Sequence, residues 1–288
     1  MHKPAVDHEV TAEEQLDTSV PVPEGGTLYI DLDRGNVEVT SHDLPEVRVV
    51  ASGRGWSAGM CHFTVIRQGR DVQLDGDIDG WLAGWLFPMR VQVRAWVPRR
   101  YSVEITSRGG SIRVSEIGGS VAAQTGGGRI ELRRVDGAVL LRTSGGRIHA
   151  EEVNGDVSAR TSGGRIDLAY VNGDVEARTS GGGIEVLGAA GAVDAKTSGG
   201  GIVASFVDDP AGRLETSGGS IEVTFPEDAS ADLDAKSSGG RVRVDHEVAF
   251  TRPARKHHFV GEINGGGMAL ALRTSAAVAR ARSQVRAP

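Results

Sequence analysis

Cysteine is almost missing from this chain. Cys61 stands alone, which rules out an internal disulfide and any cysteine-rich zinc site and fits a reducing compartment. Long apolar runs are missing too, since no stretch approaches the ~18 apolar residues of a membrane-spanning helix. The opening Met1-His2-Lys3-Pro4-Ala5-Val6-Asp7-His8-Glu9 has no apolar core behind its positive residue, so it does not read as a signal peptide. As written, the chain is expected in the cytoplasm, with association to an envelope as the alternative. Charge of one sign is also scarce. A formal net charge of −6 over 288 residues gives no strong pull toward nucleic acid or an anionic membrane.

What the chain has is glycine, 41 residues of it, about twice the usual ~7% share. The glycines fall in register. Thr143-Ser144-Gly145-Gly146-Arg147-Ile148 returns from Thr161, and again from Thr179 and Thr197 with glycine in place of arginine. Each step is 18 residues (161−143 = 179−161 = 197−179). A fixed period marks a repeat architecture rather than a disordered glycine-rich linker. The full series runs Ser107, Thr125, Thr143, Thr161, Thr179, Thr197, Thr216, Ser237, with spacings of 19 and 21 at its end.

Within one unit, Arg165-Ile166-Asp167-Leu168 and Val175-Glu176-Ala177-Arg178 alternate as strands, separated by turns at Val171-Asn172-Gly173-Asp174 and Thr179-Ser180-Gly181-Gly182. Equivalent positions hold equivalent side chains: Ile112 to Ile221 in one rank, Ile117 to Val171 in a second, Val121 to Val193 in a third. A meander of hairpins is the rival, because Asn154-Gly155 and Asn172-Gly173 are hairpin dipeptides. Its apolar face would need a cover, and no amphipathic helix or second sheet is legible. Coiling lets the two strands of each unit bury one another. The pattern predicts an all-β fold, a right-handed single-stranded parallel β-helix with 18-residue coils.

The chain divides on this reading into a flexible lead-in (1–20), an N-terminal β cap region continuous with the solenoid (21–105), the repeats (106–275) and a basic tail (276–288). All four tryptophans, Trp56, Trp81, Trp85 and Trp96, fall between 51 and 98. Large aromatics suit an irregular end, so an aromatic-rich cap is expected there. The segment Trp81, Leu82, Trp85, Leu86, Phe87 is the alternative, an apolar loop that docks on a partner or, less in keeping with a soluble chain, on a membrane surface.

Enzyme chemistry finds little footing. A phosphate loop needs its glycines to open a helix, with Lys-Ser or Lys-Thr following; here isoleucine follows and a strand begins. Ser144 and Ser162 have no histidine in each unit to activate them. Calcium-binding rolls need an aspartate after the glycines of every half-turn, and Ala138 and Ala192 break the Asp156, Asp174 series. Acidic residues Glu131, Asp167, Glu185 and Glu222 lie two residues beyond the arginine rank Arg129, Arg147, Arg165, which fits ion pairing. His246, His257 and His258 lack a zinc pattern. No cofactor, metal or catalytic set is expected. The rank Arg142, Arg160, Arg178, Lys196 is the other candidate surface. Four like charges at coil spacing repel unless neutralised, and such a strip suits an acidic partner or anionic polymer, with an ordinary solvated face as the plainer account.

The Thr-Ser-Gly-Gly-x-Ile refrain, the lead-in Gly35-Asn36-Val37-Glu38-Val39, the strand ending Trp96-Val97-Pro98 and the closing Gly261-Glu262-Ile263-Asn264-Gly265-Gly266-Gly267 together resemble the bacterial putative-adhesin β-strand-repeat family, or toastrack domain, over about residues 21–275. The resemblance implies a β-helix of unestablished role, linked in some members to the envelope or its stress signalling, with no catalytic residues to carry over. The expected function is a non-catalytic scaffold or interaction module that meets a protein partner, or itself, through a solenoid end or strand face. A carbohydrate-binding or carbohydrate-active β-helix is the alternative, and a filament-forming protein the weaker one.

Overall fold

The computed structural model describes residues 8–12, 15–55, 60–78, 89–245, 248–250, 257–275 and 278–284. No α-helix is present among them, and none is long and apolar enough to cross a membrane. The chain is a β-solenoid of 18-residue coils, each coil giving one strand to either of two mainly parallel sheets. It falls into two compact units, Met1–Thr143 and Ser144–Pro288.

The repeating coil forms as the alternation predicts. In the C-terminal unit Ile166–Val171 pairs with Ile184–Ala189 in parallel, Ile166 opposite Ile184 and Leu168 opposite Val186. Val157–Thr161, Val175–Arg178 and Val193–Thr197 stack likewise on the other face. The inward ranks are almost wholly buried, including Ile166, Leu168, Val171, Val175 and Ala177. Each of the larger aliphatics contributes about 1.5–3 kcal/mol by leaving water.

The refrain makes the corner, and each of its residues has its own task. The buried threonine hydroxyl reaches back one coil: Thr125 Oγ1 donates to Gly110 O at 2.8 Å, Thr161 to Gly146 O at 3.0 Å, Thr179 to Gly164 O at 2.9 Å. The second glycine is required by close approach rather than by its φ. A Cβ at Gly164 or Gly182 would overlap the carbonyl of the glycine one coil earlier, whereas one at Gly145 would meet nothing. The opposite corner hides a device that the sequence does not announce. Glu116, Arg134, Glu152, Tyr170 and Gly188, again 18 apart, all take positive φ, between 54° and 68°. The left-handed residue turns the chain so that the next side chain, such as Val171, points inward again. A non-glycine residue held there costs about 1–2 kcal/mol.

Both chain ends depart from sequential stacking. In the N-terminal unit the first coil, Thr27–Leu32 with Asn36–His42, lies between two coils consecutive in the chain: Asp71–Ile78 with Met89–Pro98 on one side, Ser102–Ser107 with Ile112–Ile117 on the other. Beyond it the sheets turn antiparallel, through Cys61–Gln68 and His8–Thr11 on one face and Glu46–Gly55 and Leu16–Pro21 on the other. Phe63, Val65, Val47 and Val49 are buried in this end. Trp96 faces outward, with the Arg48 guanidinium 5.5 Å from its ring; Trp56, Trp81 and Trp85 lie outside the described residues.

In the C-terminal unit, the last coil is interposed in the same way. Ala269–Thr274 lies between Gly212–Thr216 and Ala231–Ser237, and Ala279–Gln284 between Ile221–Pro226 and Val242–Asp245. Part of the stretch expected as a basic tail, 276–288, is therefore a strand. Its alternation of Ala279 and Ala281, both buried, with Arg280 and Arg282 supplies the period-two pattern. Two further strands, His258–Ile263 and Val248–Phe250, close one face antiparallel.

Candidate functional site

The interior is filled by aliphatic ranks, and outward strand positions carry charged side chains. Most charges there are met by an opposite charge one coil away. Arg113 reaches Glu131 at 3.0 Å, and Arg129 meets the same carboxylate at 3.0 Å; the two arginines hold the Glu131 carboxyl below its usual range. Asp167 accepts from Arg147 at 2.7 Å and also from Arg165, which bridges on to Glu185. The arginines of these pairs are about half exposed and the carboxylates less so, and each pair is worth about 1 kcal/mol.

The rank singled out for its positive charge is neutralised in the same fashion. Arg160 is bonded to both oxygens of Glu176, at 3.0 and 2.9 Å, and Arg178 meets that carboxylate too. Lys196 is 3.1 Å from Glu215 on the next strand. Glu176 thus serves two coils, and Lys196 turns to Glu215 rather than to Asp194. Arg142, in the other unit, stands in register with uncharged Gln124. Arg160, Arg178 and Lys196 are thus each met by a carboxylate within the C-terminal unit. The second candidate, Trp81, Leu82, Trp85, Leu86 and Phe87, lies outside the described residues. His257 bonds Gly240 O at 2.5 Å and His258 bonds Asp234 at 2.9 Å, both as surface contacts. No group of three or more His, Cys, Asp or Glu among the described residues is placed to hold a metal ion.

One strand face of the N-terminal unit differs. An open groove of about 430 Å³ is lined by Tyr29, Asp31, Asp71, Asp75 and Glu104, with Gln73 and Thr106 between them. It exists only because the first coil is interposed. That placement sets Asp31 directly opposite Asp75, and Tyr29 between Gln73 and Glu104. Neighbouring strands are ~4.8 Å apart, so two carboxylates are stacked at strand spacing. Asp75 accepts from Gln73 Nε2 at 2.9 Å, and Asp71 accepts from Thr27 N at 2.8 Å. Among the described residues no cation pairs with Asp31, Asp71, Asp75 or Glu104. The crowding is felt next door. Burial pushes the Asp77 carboxyl up, and Asp33, Asp75 and Asp31 push it further, while Arg108 opposes them. The sequence held no signal for this groove, since residues 29–31 and 71–75 are neighbours only through the interposed coil.

The family model described as Toastrack DUF4097 matches residues 10–274. No curated protein matches the chain. Two crystal structures are similar at low identity. One is described as a putative cell adhesion protein from Clostridium sporogenes, with 11% identity, 94% of this chain and 100% of that chain covered, and a TM-score of 0.25. The other is described as a putative adhesin from Bacteroides fragilis, with 10% identity, 94% and 97% covered, and a TM-score of 0.34.

Proposed function

The chain belongs to the Toastrack DUF4097 family, and from that premise we propose that it is a non-catalytic interaction module whose N-terminal unit takes a basic segment of a partner protein into its acidic groove. The observation that most supports this reading is the opposition of Asp31 and Asp75, in register on adjacent strands and without a cation of their own. Like charges directly opposite each other destabilise a sheet. A cationic partner relieves repulsion already present in the free protein, so its binding is favoured beyond a single surface ion pair. Tyr29, about two-fifths exposed, offers its ring face to a guanidinium or ammonium group between Gln73 and Glu104. The lining contains no histidine or cysteine, and its carboxylates act in this reading as acceptors for a cationic side chain.

The test uses the intact chain and an arginine-rich peptide as probe. Asp31→Asn with Asp75→Asn is expected to weaken binding roughly tenfold at low salt, and added salt to shrink that difference. Equal binding by the double variant removes the reading. So does turnover of any glycan that a single Asp or Glu change in the groove abolishes.

A further inference from the structure

The last coil in the sequence is not the last coil in space. It separates two coils joined directly by residues 227–230, and the register runs through it without a shift. Leu214 faces Leu272, which faces Ala235; Thr216 faces Thr274, which faces Ser237. On the other sheet Ile221 faces Ala279, which faces Val242, and Val223 faces Ala281, which faces Val244. Remove the intervening coil and the flanking two already match residue for residue, as consecutive coils do elsewhere in this unit.

Their charges match as well. Through the same registers Arg213 would meet Asp234, Glu215 would meet Lys236 and Glu222 would meet Arg243. Opposite charges directly across strands stabilise the pairing. The interposed coil meets opposite charge on one flank, Arg273 facing Glu215 and Arg280 facing Glu222, with Arg273 also bonded to Asp234, but on the other flank it sets Arg273 beside Lys236 and Arg280 beside Arg243. Its second strand buries only Ala279 and Ala281, where the neighbouring strand buries Ile221 and Val223. After its first strand the sequence reads Thr274-Ser275-Ala276-Ala277, without the two glycines of the refrain. The spacing from Thr216 to Ser237 exceeds the preceding one by 2 residues (21−19), an excess that a surface loop absorbs at small cost.

We propose that residues 269–284 form an exchangeable coil, and that the partner which fits the slot is the same coil of a second copy of this chain. The hinge is at 264–268. Asn264, Gly265 and Gly266 take φ of 49°, 91° and 83°, a turn that carries the chain over Ala231–Ser237 and back. It is held shut by Asn264 Nδ2, which donates to Glu227 O and Ala229 O at 2.8 and 2.9 Å. Opening it in both copies frees each coil to enter the slot of the other in the register already present, and the matching flanks of the slot lower the cost of the opened state. A short hinge beside a terminal element is the usual setting for such exchange.

Two populations of the full-length chain decide the matter, one carrying Arg213→Cys and the other Ala271→Cys, residues that face each other across the slot. They are mixed at high concentration, taken through partial denaturation and refolding, and oxidised. A disulfide between the two populations requires residue 271 of one copy to sit beside residue 213 of the other. The control mixes Arg213→Cys with Asp194→Cys, which neighbours Arg213 within one copy. The expected result is a linked heterodimer roughly tenfold above the control, raised further by Asn264→Ala in both populations. Glu222→Cys with Arg280→Cys repeats the test on the other sheet, so a folding defect in one pair does not decide it. Yields equal to the control in both pairs overturn the proposal.

Discussion

The two chain-terminal coils share one topological device and differ in what holds them. At the N-terminal end, Glu38 of the interposed coil lies 3.6 Å from Arg94 on one side and 3.7 Å from Arg113 on the other. Without it those arginines would face each other in register. Its buried side chains are Leu28, Ile30, Leu32, Val37 and Val39, against Leu270, Leu272, Ala279 and Ala281 at the other end. Withdrawing the first coil brings Arg94 opposite Arg113 and gives up the larger buried set. Withdrawing the last leaves complementary faces. Topology alone therefore does not say whether an inserted coil is a lock or a loan; the charges of the coils on either side do.

The sharpest way to break this comparison is to hollow each coil. Ile30→Ala is expected to cost about 2–5 kcal/mol in denaturant unfolding, because no alternative closure rescues that end. Leu272→Ala removes a similar volume but is expected to cost less and to speed amide exchange across 269–284, as the flanking coils close in its place. Equal losses for the two would erase the distinction.

Next in size is the hydroxyl that crosses coils. Thr125→Val leaves Gly110 O without its partner, and Thr274→Val does so for Gly219 O. Each is expected to cost about 1–3 kcal/mol locally, with the loss at 274 read mainly as release of the coil by hydrogen exchange. Acid separates the ends by sign. Burial pushes the Asp234 carboxyl up, but Arg273 and His258 hold it below 3.8 on balance. Its stabilisation is complete above that value and is lost as pH falls through the lower folded one. Asp77 is raised above 3.8, so its ionised form costs stability at neutral pH, and the cost is relieved as pH falls through the raised value. Mild acid should therefore tighten the groove end first, and stronger acid should loosen residues 269–284; exchange rates at the two ends, followed against pH, check both. Asp234→Asn should abolish the second effect. The smallest expected change is Glu38→Gln, at most about 1 kcal/mol and vanishing in high salt, with a thermal melt as the measure.

Much of this architecture is readable from residues alone. An 18-residue period with fixed inward ranks leaves few folds, and Ile166, Val171 and Val175 lie where the alternation puts them. The ends are not readable in the same way. Ser237 and Thr274 both continue the refrain, and parallel coils require matching register, not neighbouring positions in the chain, so spatial order cannot be inferred. The left-handed corner is hidden because Glu116, Arg134, Glu152 and Tyr170 are not residues that favour it; only Gly188 hints. The partner of Arg160 is not legible from its own strand, because it is Glu176 of the next coil, which also meets Arg178. The acidic groove depends wholly on which strand lies beside Asp31.

The threonine hydroxyl bond has a consequence for how such a chain changes over time. In the regular repeats the hydroxyl reaches the glycine carbonyl of the coil before it, and at Thr161 and Thr197 it also accepts from a glycine N–H of its own corner. A duplicated block such as 162–179 would carry its own threonine, its own glycine carbonyl and its own aliphatic ranks, so the copy would meet the surroundings that the original met. The number of coils is thus a quantity that in-frame duplication or deletion can adjust without inventing a contact, and the two ends travel unchanged with whatever lies between them.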